Sequence, residues 1–211
     1  MKKNIFKIIT IILILIILIF LGLYLNKYRI ISSYQNKILE IAENGNYKMS
    51  LTNEDKYTTN ILVKNNISVE TNDNNTYIVV DSNTNKQYLI SNSIENSVRE
   101  LTEDEKIQVT ASIYSFCSII DSNNKVSIFS LIKTDPRMKL STANYNNVEC
   151  YKLETSSINT RSGYTVFFDK ETKLPIALQL GNNEPYYDIQ IEVGNVQDNE
   201  ISVENIVNSL N

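Results

Sequence analysis

An apolar run near the amino terminus constrains this chain more than any other feature. From Ile8 to Leu25 there are eighteen residues, and all but Thr10, Gly22 and Tyr24 are Ile, Leu or Phe. As a helix rising about 1.5 Å per residue, the run extends roughly 27 Å, close to the hydrocarbon thickness of a bilayer. At about 0.3–0.6 kcal/mol each, its fifteen Ile, Leu and Phe residues favour insertion by on the order of 7 kcal/mol. A cleavable signal has a shorter apolar core, about 7–15 residues, followed by small residues. Here the run closes in Gly-Leu-Tyr-Leu-Asn-Lys (22–27), and no cysteine stands just after it for lipid attachment, the two in the chain being Cys117 and Cys150. It reads as an uncleaved single span, carried by Ile8, Leu13, Leu18, Leu25 and their neighbours. Lys2, Lys3 and Lys7 precede it, while Lys27 and Arg29 follow. That small excess predicts a cytoplasmic amino terminus and an extracytoplasmic Asn26–Asn211, in a single-pass protein of the cell membrane.

Charge then narrows the chemistry. Three of the twenty basic residues lie in the leader and none of the twenty-four acids does, so the remainder has a formal charge of −7. A nucleic-acid partner is therefore not expected, because it needs a basic face. The chain has no His and no Trp, which removes His-based triads, His metal sites and imidazole proton shuttles. Asp81-x-Asn83-x-Asn85 begins like a calcium loop, but Lys86 stands where Gly is needed and Asn92 where Glu is needed. It reads as a hairpin turn. Glu103, Asp104 and Glu105 read as a helix amino-terminal cluster, and Asp169 and Glu171 as a hairpin tip. With no Gly-rich phosphate loop either, the expectation is a protein that is no enzyme and has no cofactor and no metal.

The periodicity gives the organisation. Ile30, Ile31, Tyr34, Ile38, Leu39 and Ile41 are spaced for a short amphipathic helix ending at Asn44-Gly45. The period then becomes two, through Tyr47-Met49-Leu51, Tyr57-Thr59-Ile61-Val63, Ile67-Val69, Tyr77-Val79 and Tyr88-Ile90. Asn- and Asp-rich stretches punctuate these series, because both residues tolerate left-handed backbone in tight turns. Leu101-Thr102-Glu-Asp-Glu105 forms a capping box for a helix from Thr102 to about Ile120. Val126–Ile132 fits either a helix or a strand. Period-two series resume at Tyr151-Leu153, Tyr164-Val166-Phe168, Leu174-Ile176-Leu178-Leu180 and Tyr187-Ile189-Ile191-Val193. The class is α+β: a membrane helix, then a mostly antiparallel sheet with helices covering one apolar face. The expected divisions are 1–25 for the tip and anchor, 26–45 for the connecting helix, 46–205 for the sheet domain and 206–211 for a tail. Cys117 and Cys150 have two readings, a disulfide in an exported domain or two small core residues, and the sequence leaves both open.

Val148–Leu153, Thr165–Leu180 with its Asp-Lys-Glu-Thr-Lys-Leu-Pro turn, and Tyr187–Ile201 together resemble the carboxy-terminal half of the LolA/LppX/LprG-like lipoprotein-carrier superfamily. The earlier meander followed by a helix is similar to the same layout, over roughly residues 34–205. The resemblance implies a half-open β-barrel whose helices cover an apolar cavity that takes lipid acyl chains without catalysis. Candidate lining residues are Tyr47, Met49, Ile61, Val79, Tyr88, Tyr151, Val166, Phe168, Ile176, Leu178, Ile189 and Ile191, with Ile113, Tyr114 and Phe116 on the covering helix. The first functional reading is thus a tethered domain holding a lipid or other apolar ligand. The second, favoured by permanent tethering, is an envelope interaction or sensing module that meets a protein partner.

Overall fold

The computed structural model describes residues 2–72, 74–93, 97–102, 139–155, 164–181 and 185–210. Most of the expected capped helix, all of Val126–Ile132, and the candidates Ile113, Tyr114, Phe116 and Cys117 lie outside the described residues.

The anchor and the connecting helix form one element, α1 (Lys2–Asn44). Nothing between Leu25 and Ile30 breaks it, since Asn26, Lys27, Tyr28 and Arg29 include neither Gly nor Pro. At 43 residues it extends about 65 Å. Two environments divide its length. Ile8, Leu13, Leu18 and Leu25 are 50–60% exposed in the protein alone, whereas Ile31, Tyr34, Ile38 and Ile41 are at most 5% exposed. The helix is long and apolar enough to cross a membrane, and its second part is built into the domain. Gly45, with φ +59°, ends it and donates its N–H to the Ile41 carbonyl at 3.2 Å.

Eleven strands follow: β1 (Asn46–Thr52), β2 (Thr58–Lys64), β3 (Ile67–Thr71), β4 (Tyr77–Asp81), β5 (Lys86–Ile90), β6 (Val98–Glu100), β7 (Lys139–Tyr145), β8 (Val148–Thr155), β9 (Tyr164–Asp169), β10 (Pro175–Leu180) and β11 (Tyr186–Val193). They form one curved, open antiparallel sheet in the order β6-β5-β4-β3-β2-β1-β11-β10-β9-β8-β7. Two meanders are therefore joined where β1 pairs with β11, Met49 opposite Ile191 and Leu51 opposite Ile189. The chain leaves the sheet at one edge, β6, and re-enters at the other, β7.

Asparagine makes the tight turns. Asn65 and Asn66 (φ +53° and +64°) join β2 to β3, and Asn146 and Asn147 (φ +48° and +66°) join β7 to β8. Two consecutive left-handed residues give the hairpin turn whose twist matches the strands, and Asn accepts that backbone better than most residues. After Asp81 the carboxylate accepts the Asn83 N–H at 2.9 Å and the Thr84 hydroxyl at 2.8 Å. The Thr84 hydroxyl, first among several donors, holds the Asp81 carboxyl below its ordinary range. The apparent calcium loop is thus a hairpin turn.

The carboxyl end departs from the expected tail. Two short helices, α2 (Asp198–Ile201) and α3 (Val203–Leu210), follow β11. The Glu200 carboxylate accepts the Gln197 N–H at 2.7 Å and pairs with Lys48 of β1 at 2.8 Å, while Asp198 pairs with Lys64 of β2 at 2.7 Å. Ile201 and Ile206 are buried beneath these helices.

The core beneath α1 generates a stability prediction. Ile38 from the helix and Leu178 from the sheet are 2% and 0% exposed within one cluster. Ile38→Ala and Leu178→Ala should each lower the unfolding free energy of the full chain in detergent micelles by roughly 2–5 kcal/mol. Chemical denaturation measures this.

Candidate functional site

Strand register decides which side chains meet. Tyr47, Met49 and Leu51 of β1 point to one face, and the pairings carry that face to Ile61 of β2, Ile189 and Ile191 of β11, Leu178 of β10, Val166 and Phe168 of β9, and Leu153 and Tyr151 of β8. Ile31, Tyr34, Ile38 and Ile41 of α1 pack onto this face. Tyr34 lies 5.1 Å from the Phe168 ring and 6.0 Å from that of Tyr151, the latter edge to face.

Nine of the cavity candidates, Tyr47, Met49, Ile61, Tyr151, Val166, Phe168, Leu178, Ile189 and Ile191, therefore share a face, and the chain's own helix packs against it. Met49, Ile61, Val166 and Leu178 are at most 1% exposed. Val79 and Tyr88 depart from the expectation of a common face. Register runs from Leu62 to Val69, Val79 and Tyr88, on the side opposite Ile61. That outer face packs against Val196, Ile201 and Ile206. Ile176 sits at a register shift in β10 and joins a separate outer cluster with Cys150, Phe167 and Ala177. Tyr77 goes to the outer face as well, and Tyr57 precedes β2 with 65% exposure.

Cys150 is a fully buried free thiol that donates to the Val148 carbonyl at 2.9 Å. Burial pushes its pKa up, the behaviour of a core residue rather than a nucleophile.

Among the grooves on the described surface, two lie beside the packed face and the seam. One, of about 440 Å³, lies between α1 and one end of the sheet, lined by Leu23, Asn26, Lys27 and Ile30 of the helix, Leu140, Ser141 and Thr142 of β7, and Tyr151 of β8. The other, of about 270 Å³, crosses the outer face at the meander junction, with a mixed lining of Lys48, Ser50, Asn60, Thr71, Gln190 and Glu192 beside Met49 and Leu62. There Ser50 donates to the Asn60 side-chain oxygen at 2.7 Å. Sequence reasoning missed both, since each depends on strands or helices brought together by β7 and the β1–β11 seam.

Glu70 is an ionisable group at odds with its setting. Register places it on the α1 side of β3 between Ile61 and Ile78, and burial raises its carboxyl pKa.

No protein-family model matches the sequence, and no curated protein matches it. Among solved structures the chain is similar to MucB at 13% identity and a TM-score of 0.44, covering 82% of this chain and 62% of that one. It is also similar to MucB in complex with MucA(peri), at 11% identity and 0.41, covering 82% of this chain and 59% of that one. A third similarity is to PNGF-II, at 10% identity and 0.34, covering 73% of this chain and 29% of that one. The chain thus spans about three-fifths of the length of the MucB structures.

Glu70 gives a pH prediction with a definite sign. Its folded pKa lies above the unfolded one, so between the two the native state holds more protons and loses stability as pH rises. Glu70→Gln should therefore be more stable than the parent at pH 7, and the difference should vanish below about pH 4. Denaturant midpoints at the two pH values test this.

Proposed function

We propose that this protein is a single-pass, extracytoplasmic interaction module, whose sheet is presented to a protein partner beside the bilayer and performs no catalysis. One observation carries the reading. The apolar face suited to a ligand cavity is packed under residues 31–41 of the protein's own helix.

Free energies favour that assignment. Opening the face to a ligand exposes Ile31, Ile38 and Ile41, at about 1.5–3 kcal/mol for each side chain returned to water. An acyl chain taken from the neighbouring bilayer offers little in exchange. It leaves one apolar environment for another, so the roughly 0.8 kcal/mol per methylene available on leaving water is absent. A partner protein needs no such opening, since it meets strand edges and surface grooves that are already accessible.

The reading is tested on the full-length chain in native membranes by lysine-reactive crosslinking and mass spectrometry, with lipid analysis of the detergent-purified protein. The expected result is one reproducible protein neighbour joined to residues beyond Ala42, with lipid content that falls as detergent is exchanged. An absence of protein neighbours, together with about one acyl lipid per chain surviving delipidation, would favour the ligand-binding alternative.

A further inference from the structure

We infer that the outer edge of β7 is the recognition site of the proposed module, and that it takes as an added strand an extended segment of a protein anchored in the same membrane. This rests on the interaction reading and names the place and the partner's chemistry.

The argument starts from the hairpin. The two-residue Asn146-Asn147 turn makes its flanking pair, Tyr145 and Val148, a hydrogen-bonded pair. Alternation along the ladder then makes Ala143–Cys150, Ser141–Lys152 and Lys139–Glu154 hydrogen-bonded pairs as well. Leu140, Thr142 and Asn144 therefore turn their N–H and C=O groups away from β8, toward the edge of the sheet. Among the described residues no strand pairs with that edge.

Natural edge strands are usually blunted by proline, a bulge, brevity or charge. β7 has seven residues, regular register along its whole length, no proline and one charge, at Lys139. The opposite edge, β6, has three residues and two charges, Arg99 and Glu100. Donors and acceptors alternating at fixed spacing along about 23 Å are matched by another extended backbone and by little else.

Position supplies the rest. The same Leu140 and Thr142 line the 440 Å³ groove against Leu23, Asn26, Lys27 and Ile30. Leu23 belongs to the apolar run, so the groove and the edge begin where α1 leaves the bilayer. A strand docked there sits at the membrane surface. Its inward side chains meet Leu140, Ile30 and the Tyr151 ring, so apolar residues at alternate positions are required of it. At about 3.3 Å per extended residue, a segment within about ten residues of a membrane span reaches the whole edge.

Thr142 separates this inference from a structural role. Its N–H faces outward, so Thr142→Pro removes an edge donor without removing a β7–β8 ladder bond, whereas Thr142→Val keeps the donor. In the full-length protein in its native membranes, a photocrosslinker is placed at Asn144, and in separate proteins at Tyr57 and at Glu192. The expected result is an adduct from Asn144 joined within about ten residues of the partner's membrane span, reduced about tenfold or more by Thr142→Pro and retained in Thr142→Val. Adducts from Asn144 that are indifferent to Thr142→Pro, or that map far from a span, overturn the inference. So do adducts from Tyr57 or Glu192 only, a result that leaves the interaction reading standing. No protein adduct from any position overturns both. Hydrogen exchange of the unaltered protein gives an independent measure should the proline variant misfold. The Leu140, Thr142 and Asn144 amides should exchange at least about tenfold more slowly in native membranes than in detergent, and equal rates would contradict strand addition.

Discussion

The packing of residues 31–41 of α1 onto the sheet is the interaction on which the rest of the structure depends. Without it, Met49, Ile61, Val166, Phe168 and Leu178 would form a broad apolar face open to water. With it, a helix long and apolar enough to cross a membrane and an eleven-stranded sheet become parts of one body. The helix is unbroken from Lys2 to Asn44. The same run of backbone hydrogen bonds passes from the exposed apolar segment into the domain core, so the sheet's position relative to the anchor is fixed by packing rather than by a linker. Function has to be read from that geometry.

Coverage is divided between the two sides of the sheet. α1 lies on one face over β1 and β8–β11, and α2 and α3 lie on the other over β2–β5. β2 is the pivot, with Ile61 committed to the first side and Leu62 to the second. The ion pairs Lys48–Glu200 and Lys64–Asp198 hold α2 against the two central strands. Lys48, whose bond to Glu200 is the main cause, keeps the Glu200 carboxyl below its ordinary range. Such partly exposed pairs contribute roughly 0–1 kcal/mol each, so they orient α2 more than they stabilise it. The stabilising contribution comes from Ile201 and Ile206.

Much of this was legible in the sequence, for identifiable reasons. Eighteen residues with only three departures from Ile, Leu and Phe leave little choice but a long apolar helix. Alternation such as Tyr47-Met49-Leu51, bounded by asparagine turns, marks strands that bury one side. What escaped was information carried by pairing rather than by order along the chain. Period two assigns Val79 and Tyr88 to the same side of their own strands as their alternate neighbours, but only register shows that this side is opposite Ile61. β7 escaped because Lys-Leu-Ser-Thr-Ala-Asn-Tyr has no apolar alternation, although the Asn146-Asn147 pair after it was a readable hairpin signal. α3 escaped despite Val203, Ile206, Val207 and Leu210 at helical spacing, because the sequence reading placed a division inside it, ending the sheet domain at 205 and taking 206–211 as a tail. Lys48 and Glu200, 152 positions apart, carried no signal of their partnership.

If α1 completes the core, the sheet alone cannot fold. A chain beginning at Asn46 would expose the face that α1 covers, whereas one beginning at Asn26 keeps residues 31–41 and needs no membrane. Thermal unfolding of the 26–211 and 46–211 proteins, followed by near-ultraviolet circular dichroism and dye binding, compares them directly. The account predicts a cooperative transition for the longer protein, with the shorter one giving a dye-binding state and no fixed aromatic signal. Equal, cooperative transitions for the two would contradict it.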